Sequence, residues 1–157
     1  MKIGSDLKME LEVFYNSLTK EKETFDLPLY KILGAKFCIV RRDENGKIMG
    51  IAGIQKKYNL MFAVVKKEYQ NRGIGRELFR ETVRRAIAEG VPYIAGNLYA
   101  SNARSLHLLL KVGFTPLHVY SQNCRRRIFV ILPLNRIGQI AKYILYIRLT
   151  IKSAIRH

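Results

Sequence analysis

The chain has 157 residues, 48% of them hydrophobic and 25% charged, enough for one compact domain with an ordinary core and too few for a second full one. Its 28 Lys and Arg outnumber 12 Asp and Glu to give a net charge of +16, a field that gathers anions such as phosphorylated cofactors, nucleic acid or anionic lipid without choosing among them. Glu89 is the last acid, so residues 90–157 hold ten bases and no carboxylate, which excludes a carboxylate general base from that half.

Leu7, Leu11, Phe14 and Leu18 recur at helical spacing behind Ser5 and Asp6, which can cap, and predict a helix over residues 6–18. The same stretch carries acids among its apolar positions, which argues against a signal peptide. No apolar run approaches the roughly 20 residues needed to cross a bilayer. With only Cys38 and Cys124, no C-x-x-C spacing and no histidine partner nearby, neither a disulfide framework nor a metal site is expected, and a cytoplasmic setting is the default. Residues 23–33, ETFDLPLYKIL, carry no decisive pattern. KFCIVRR and KIMGIAGIQKK flank Asp43-Glu44-Asn45-Gly46, and Asn-Gly between two apolar runs predicts a hairpin. NLMFAVV continues as the third strand of this meander.

The stretch VKKEYQNRGIGR, residues 65–76, then leads into a helix whose apolar side is Leu78, Phe79, Val83 and Ile87 and which closes at Glu89-Gly90 ahead of Pro92. A strand end, a loop and a helix starting near Gly73 gather main-chain N–H groups and the positive end of a helix dipole, which suits a pyrophosphate. Gly73 and Gly75 remove the side chains that would hold such a group away, while Gln70, Arg72 and Arg76 add donors and charge. Gly75 also lets the helix lie near the neighbouring strand. Taken alone, the two glycines favour an ordinary strand-to-helix turn. The dinucleotide fingerprint is excluded by the missing third glycine and the preceding meander, and a Walker A loop by the lack of Gly-Lys-Ser/Thr. Farther on, YIAGNLYA reads as a buried strand and residues 102–112 as a helix ending at Gly113. TPLHVY and RIFVILPL form a last strand pair across the loop SQNCRRR. Arg125, Arg126 and Arg127 in that loop suit a cofactor phosphate, nucleic acid, an acidic substrate or simply a solvated turn.

From Val65 through Gly75 the run resembles the acyl-coenzyme A binding motif of the GNAT superfamily of N-acetyltransferases, V-x-P-x-x-[QR]-x-x-G-x-[GA]. Asn102, Ser105, Lys111, Gly113 and Phe114 are similar to that family's second signature, an Asn opening a helix that ends in Gly-Phe. The resemblance covers the element order from residue 6 to 132. It implies an α+β fold with a mixed, mostly antiparallel central sheet and helices on both faces, here over residues 1–135. It also implies acetyl-CoA as co-substrate, no metal, and direct attack by a primary amine of a small molecule or protein. In such folds the fourth strand, here ending at Ala63, Val64 and Val65, splays from the fifth, near Ile94 to Leu98, to admit the pantetheine arm. A main-chain N–H near Val65 would polarise the acyl carbonyl. The pyrophosphate would fall to Gln70, Asn71, Arg72, Gly73, Ile74, Gly75 and Arg76, with Asn102 and Ser105 on the opposite wall. Proximity carries much of such catalysis, so acid and base residues vary.

They vary here. The family often places an acidic tyrosine four residues before the Gly-Phe glycine; that position is Leu109. His107 lies two residues along the helix, about 200° round, and faces away. Tyr99 and Ser101, beside Asn102, are the nearer candidates, and a base acting through water or amine deprotonation in solvent stays open. Lys67 replaces the proline of the motif. Asp43 and Glu44 read as turn residues, and Glu68 as a cap for the following helix.

Residues 136–157 form a basic amphipathic extension. Ile137, Ile140, Ile144, Ile147, Ile151 and Ala154 fall at steps of three and four, with Lys142, Arg148, Lys152 and Arg156 on the other side, together with Leu145 and Leu149. The isoleucine face would pack on its own domain or on a second copy in a homodimer, or rest peripherally on an anionic membrane. Nucleic acid is a weaker expectation, since no basic run interleaved with aromatics appears.

Overall fold

Residues 4–20, 27–122 and 124–154 are described by a computed structural model, in which the chain divides into two compact units, Met1–Arg85 and Ala86–His157. In the first, the row Leu11, Phe14 and Leu18 forms the buried side of helix α1 (Ser5–Lys20). Pro28, whose ring fixes φ near −60°, precedes the short helix α2 (Leu29–Leu33) and leaves no amide to satisfy there. This helix falls where the sequence carries no decisive pattern; residues 23–26 of that segment lie outside the described residues.

Strands β1 (Phe37–Arg42), β2 (Ile48–Ile54) and β3 (Met61–Val65) form the expected antiparallel meander. Its hairpin turns at Asp43, whose Oδ1 accepts the Asn45 and Lys47 amides at 3.0 and 2.9 Å, and at Gly46 with φ +78°. Leu11, Phe14, Leu18 and Ile32 pack on the face that carries Ile51 and Phe62. The alternate face meets helix α3 (Ile74–Ala88): a Cβ at Gly50 would come within 3.2 Å of Leu78 Cδ1. The second strand stops at Ile54 rather than running to Lys57, because Tyr58 and Asn59 take φ of +58° and +49° and turn the chain back. Asn59 is held there by Lys36 Nζ at 2.7 Å. Ile74, Leu78, Phe79, Thr82 and Ala86 are the buried row of α3, whereas Ile87, expected inward, is exposed. Counting Val65's strand as the fourth also shifts by one, since no strand precedes α1 among the described residues.

In the second unit, Gly90 (φ +67°) terminates α3 with Val91 N–H reaching back to Ala86 O at 2.9 Å. Strands β4 (Tyr93–Tyr99), β5 (Thr115–Gln122) and β6 (Arg125–Pro133) follow, with helix α4 (Ala103–Lys111) between the first two and helix α5 (Arg136–Ala154) after the last. The sheet order is β4-β6-β5. The site of a Cβ at Gly96 lies 3.7 Å from Leu109 Cδ1, so α4 packs on that face. From α5, Lys142 Nζ donates to Thr115 Oγ1 at 3.3 Å.

The expected α+β fold is found, with one three-stranded sheet in each unit and every described pairing antiparallel. Two further expectations change. The arginines expected in a loop sit in β6: Ser121 pairs with Arg126 and Gln122 with Arg125, so the strands run closer to the turn than apolar content alone marks. In α5, Gly138 is buried, and Ala141, Lys142, Leu145 and Leu149 are half-buried, while the isoleucine row is exposed. A Cβ at Gly138 would collide with the Pro92 carbonyl oxygen. Close backbone approach, not the isoleucine row, docks this helix. No helix of the described residues is long and apolar enough to cross a membrane.

Candidate functional site

The residues singled out fall into a group in each unit. In the first, β3 pairs with β2 through the register Ile51↔Val64 and Gly50↔Val65, and Lys66 N–H donates to Met49 O at 2.9 Å. Main-chain groups alternate in direction along an antiparallel strand. Val64 and Lys66 therefore turn toward β2, and Ala63 and Val65 turn their N–H and C=O off the edge of that sheet. The Val65 carbonyl accepts Gln70 Nε2 at 3.0 Å, which folds the loop back against the strand end.

A 3-10 turn, Lys67–Tyr69, opens the loop. Tyr69 donates its hydroxyl to Asp43 Oδ2 at 2.7 Å, and Lys47 Nζ donates to Glu68 Oε1 at 3.0 Å. Loop and hairpin are thus tied at two points. That contact holds the Asp43 carboxyl below its ordinary range and pushes the Tyr69 hydroxyl up, while Glu68 raises Lys47. Glu68 is consequently an ion-pair partner of the hairpin rather than a helix cap, and Asp43 does more than turn the chain.

Asn71 (φ +67°) and Gly73 (φ +83°) then adopt left-handed backbone. Arg76 N–H makes the first helical bond, to Gly73 O at 2.9 Å, so the amides of Gly73, Ile74 and Gly75 lie ahead of the α3 ladder at the positive end of its dipole. Nothing lies within 4 Å of where a Gly73 Cβ would stand. Arg72 and Arg76 are exposed beside it, the Arg72 guanidinium 5.6 Å from the Tyr69 ring centre. Ile74 is buried and anchors the helix start. A Cβ at Gly75 would make ordinary contact with Val65 Cγ2 at 3.8 Å, so packing against the strand does not require glycine there.

In the second unit, Asn102 caps α4, its Oδ1 accepting Ser105 N–H at 3.1 Å. Ser101 is exposed in the preceding turn, and His107 is exposed on α4 as its helical position demands. Tyr99 stands opposite Arg127 in the β4–β6 register. Arg127 Nη2 donates to its hydroxyl at 2.8 Å, the same guanidinium lies 4.3 Å from its ring centre, and that of Arg125 lies 5.4 Å away. These partners of Tyr99 escape sequence reading because the arginines look like turn residues; the only signal is the β6 register. Cys38, half-buried, has its thiol pushed up to about 12 by burial, with Arg85 acting against that shift. No cluster of three His, Cys, Asp or Glu suited to a metal occurs among the described residues.

A model of the acetyltransferase (GNAT) family matches residues 7–114. Comparison with curated proteins gives no significant match. Among solved structures, the chain is similar to a GCN5-related N-acetyltransferase from Kribbella flavida at 16% identity, with TM-score 0.67 and coverage of 85% of this chain and 96% of that one. The ribosomal-protein-S18-alanine N-acetyltransferase from Escherichia coli matches at 18% identity and TM-score 0.63, over 86% of this chain and 92% of its own. The protein yncA from Salmonella typhimurium, solved with its cofactor acetyl-CoA, matches at 22% identity and TM-score 0.55 over 63% of this chain, which spans only 65% of the yncA chain. At such identities the likeness is one of fold, an α+β arrangement with antiparallel sheets.

Proposed function

Because the chain belongs to the acetyltransferase (GNAT) family, we propose that it transfers an acetyl group from acetyl-CoA to a primary amine, with the loop ahead of α3 receiving the pyrophosphate. The observation that carries this reading is Gly73: a left-handed residue with open space beside it, the first of three whose amides precede the helical ladder. That cradle fits a diphosphate, and Arg72 and Arg76 add charge at its rim. A solved structural relative that holds acetyl-CoA supports the same co-substrate.

The thioester supplies an activated acyl group and a thiolate leaving group. Ala63 offers an outward N–H and C=O and Val65 an outward N–H, its carbonyl being taken by Gln70, and an extended ligand can pair with these as an added strand does. The Val65 N–H is the donor we assign to charge developing on the acyl oxygen, an interaction that needs no reorganisation because the strand fixes its direction. Tyr99 is the assigned proton donor. Its hydroxyl oxygen accepts from Arg127, which leaves the phenolic proton to be given elsewhere. Arg127 acts as a positioning residue. No acid follows Glu89, and in this reading the amine reaches its attacking form in solvent or through water.

Calorimetric titration with acetyl-CoA, followed by a thiol-release assay over a panel of small amines and peptide N-termini, tests the proposal. The expected result is saturable binding and amine-dependent thiol release. Absence of saturable acetyl-CoA binding would refute it.

A further inference from the structure

Helix α5 is apolar on two sides. One, centred on Gly138, Ala141, Leu145 and Leu149, packs on its own sheet. About a third of a turn round the helix, Ile137, Ile140, Ile144, Ile147 and Ile151 stand between 54% and 67% exposed. At about 100° per residue, Arg136 and Arg148 fall on the two borders of this row, and Tyr143, also exposed, lies just beyond the Arg136 border. From Ile137 to Ile151 the row runs about 21 Å along the helix. An unbroken apolar row of that length on a monomer marks an interaction surface.

We infer that this row belongs to an interfacial helix that lies in the plane of an anionic lipid surface, isoleucines in the acyl boundary and Arg136, Arg148 and Tyr143 at headgroup level. Charge decides the occupant. Residues 90–157 contain ten Lys and Arg and no acid, so a second copy docked α5 against α5 would set cations against cations with no carboxylate to meet them, and would carry another +16. Nucleic acid presents phosphates, which an isoleucine row between two cations cannot pair along its centre. An anionic bilayer satisfies both parts: acyl chains take the row, headgroup phosphates take Arg136 and Arg148, and tyrosine is favoured at the interface between them. The helix is not apolar enough to span, and its other side is already used, so it lies flat with the enzyme attached. The inference is independent of the acetyl-transfer reading.

The test is co-sedimentation of the full chain with vesicles of phosphatidylcholine containing about one-third phosphatidylglycerol, against vesicles of phosphatidylcholine alone. The wild-type chain should partition onto the anionic vesicles. Ile140→Gln/Ile144→Gln/Ile147→Gln keeps the charge and does not lower helix preference, and it should lower that partition at least about tenfold with no loss of helical circular dichroism. Arg136→Gln/Arg148→Gln should lower it about fivefold per cation. No binding to anionic vesicles, or equal binding by the isoleucine variant, overturns the inference. So does a concentration-dependent dimer in sedimentation velocity that the isoleucine variant abolishes while vesicles go unbound, since the row then covers a second copy.

Discussion

Two glycines two residues apart should respond in opposite directions to the same substitution. Gly73 sits at φ +83° with nothing within 4 Å of a Cβ, so Gly73→Ala adds no clash, only the left-handed penalty of about 1–2 kcal/mol. For a chain of this size that lowers Tm by about 2–4 °C per kcal/mol. Gly75 lies inside α3, and its Cβ would meet Val65 Cγ2 at an ordinary 3.8 Å. Gly75→Ala therefore gains helix preference, up to about 0.8 kcal/mol, and should hold or raise Tm.

Ligand binding separates them further. Gly73→Glu places a carboxylate in the space proposed for the pyrophosphate. At about 5 Å and an effective dielectric constant of about 20, like charges repel by about 3 kcal/mol. Solvent screening at this exposed loop reduces that to about half, which still weakens acetyl-CoA by more than about tenfold. Gly75→Ala should stay within about threefold of wild type. Thermal denaturation followed by calorimetric titration of the three variants gives both quantities. If Gly73→Glu keeps wild-type affinity, the diphosphate does not bind at this loop; if Gly75→Ala loses as much as Gly73→Ala in Tm, the backbone argument is wrong.

Tyr99→Phe should reduce kcat at least about tenfold with KM for acetyl-CoA little changed, and Arg127→Gln should reproduce part of that loss with a shifted pH profile; unchanged kcat in Tyr99→Phe removes it from the chemistry. Tyr69→Phe deletes the 2.7 Å bond to Asp43 and should weaken acetyl-CoA about threefold, read by titration. Because Tyr69, with the Lys47 and Asn45 amides, holds the Asp43 carboxyl below its ordinary 3.8, the wild-type tether contributes stability above that value and loses it as pH falls through the lowered one; acid titration of Tm should show a step that is smaller in Tyr69→Phe. Cys38 behaves in the opposite sense: its thiol lies at about 12 against an ordinary 9.0, so its contribution is intact below 9.0 and fades as pH rises toward 12. Iodoacetamide labelling of the folded chain at neutral pH, read by mass spectrometry, should mark exposed Cys124 and spare Cys38. Gly138→Ala drives a methyl into the Pro92 carbonyl and should lower stability by about 1–3 kcal/mol, measured by denaturant unfolding.

Elements whose cause is local were legible in the sequence. The Asn45-Gly46 hairpin, the Gly90 helix stop and the Asn102 cap each follow from a residue type that admits few alternatives, and each is found in place. What required register or tertiary approach was not legible. Arg125 and Arg127 look like turn residues until the β4–β6 pairing sets Arg127 opposite Tyr99. Tyr69 and Asp43 are 26 positions apart, and no periodicity joins them. Ile87 keeps the 3.6-residue rhythm of α3 yet ends exposed, because Ala86 takes the buried position in the last turn.

Helix α5 gives the sharpest case. A periodic apolar row predicts a face that is covered, and it is silent on what covers it. Docking to the sheet depends instead on how closely two backbones can approach, and that selects Gly138 and Ala141, small residues that carry little hydrophobic signal. Once those residues orient the helix, its isoleucines have no choice but to point outward. The lipid surface we propose would cover them, and the absence of any acid after Glu89 is what favours a partner that brings its own negative charge. The same basic field favours an anionic co-substrate at the α3 loop, so raising ionic strength should weaken acetyl-CoA binding and vesicle binding together, while Ile140→Gln/Ile144→Gln/Ile147→Gln should weaken only the second.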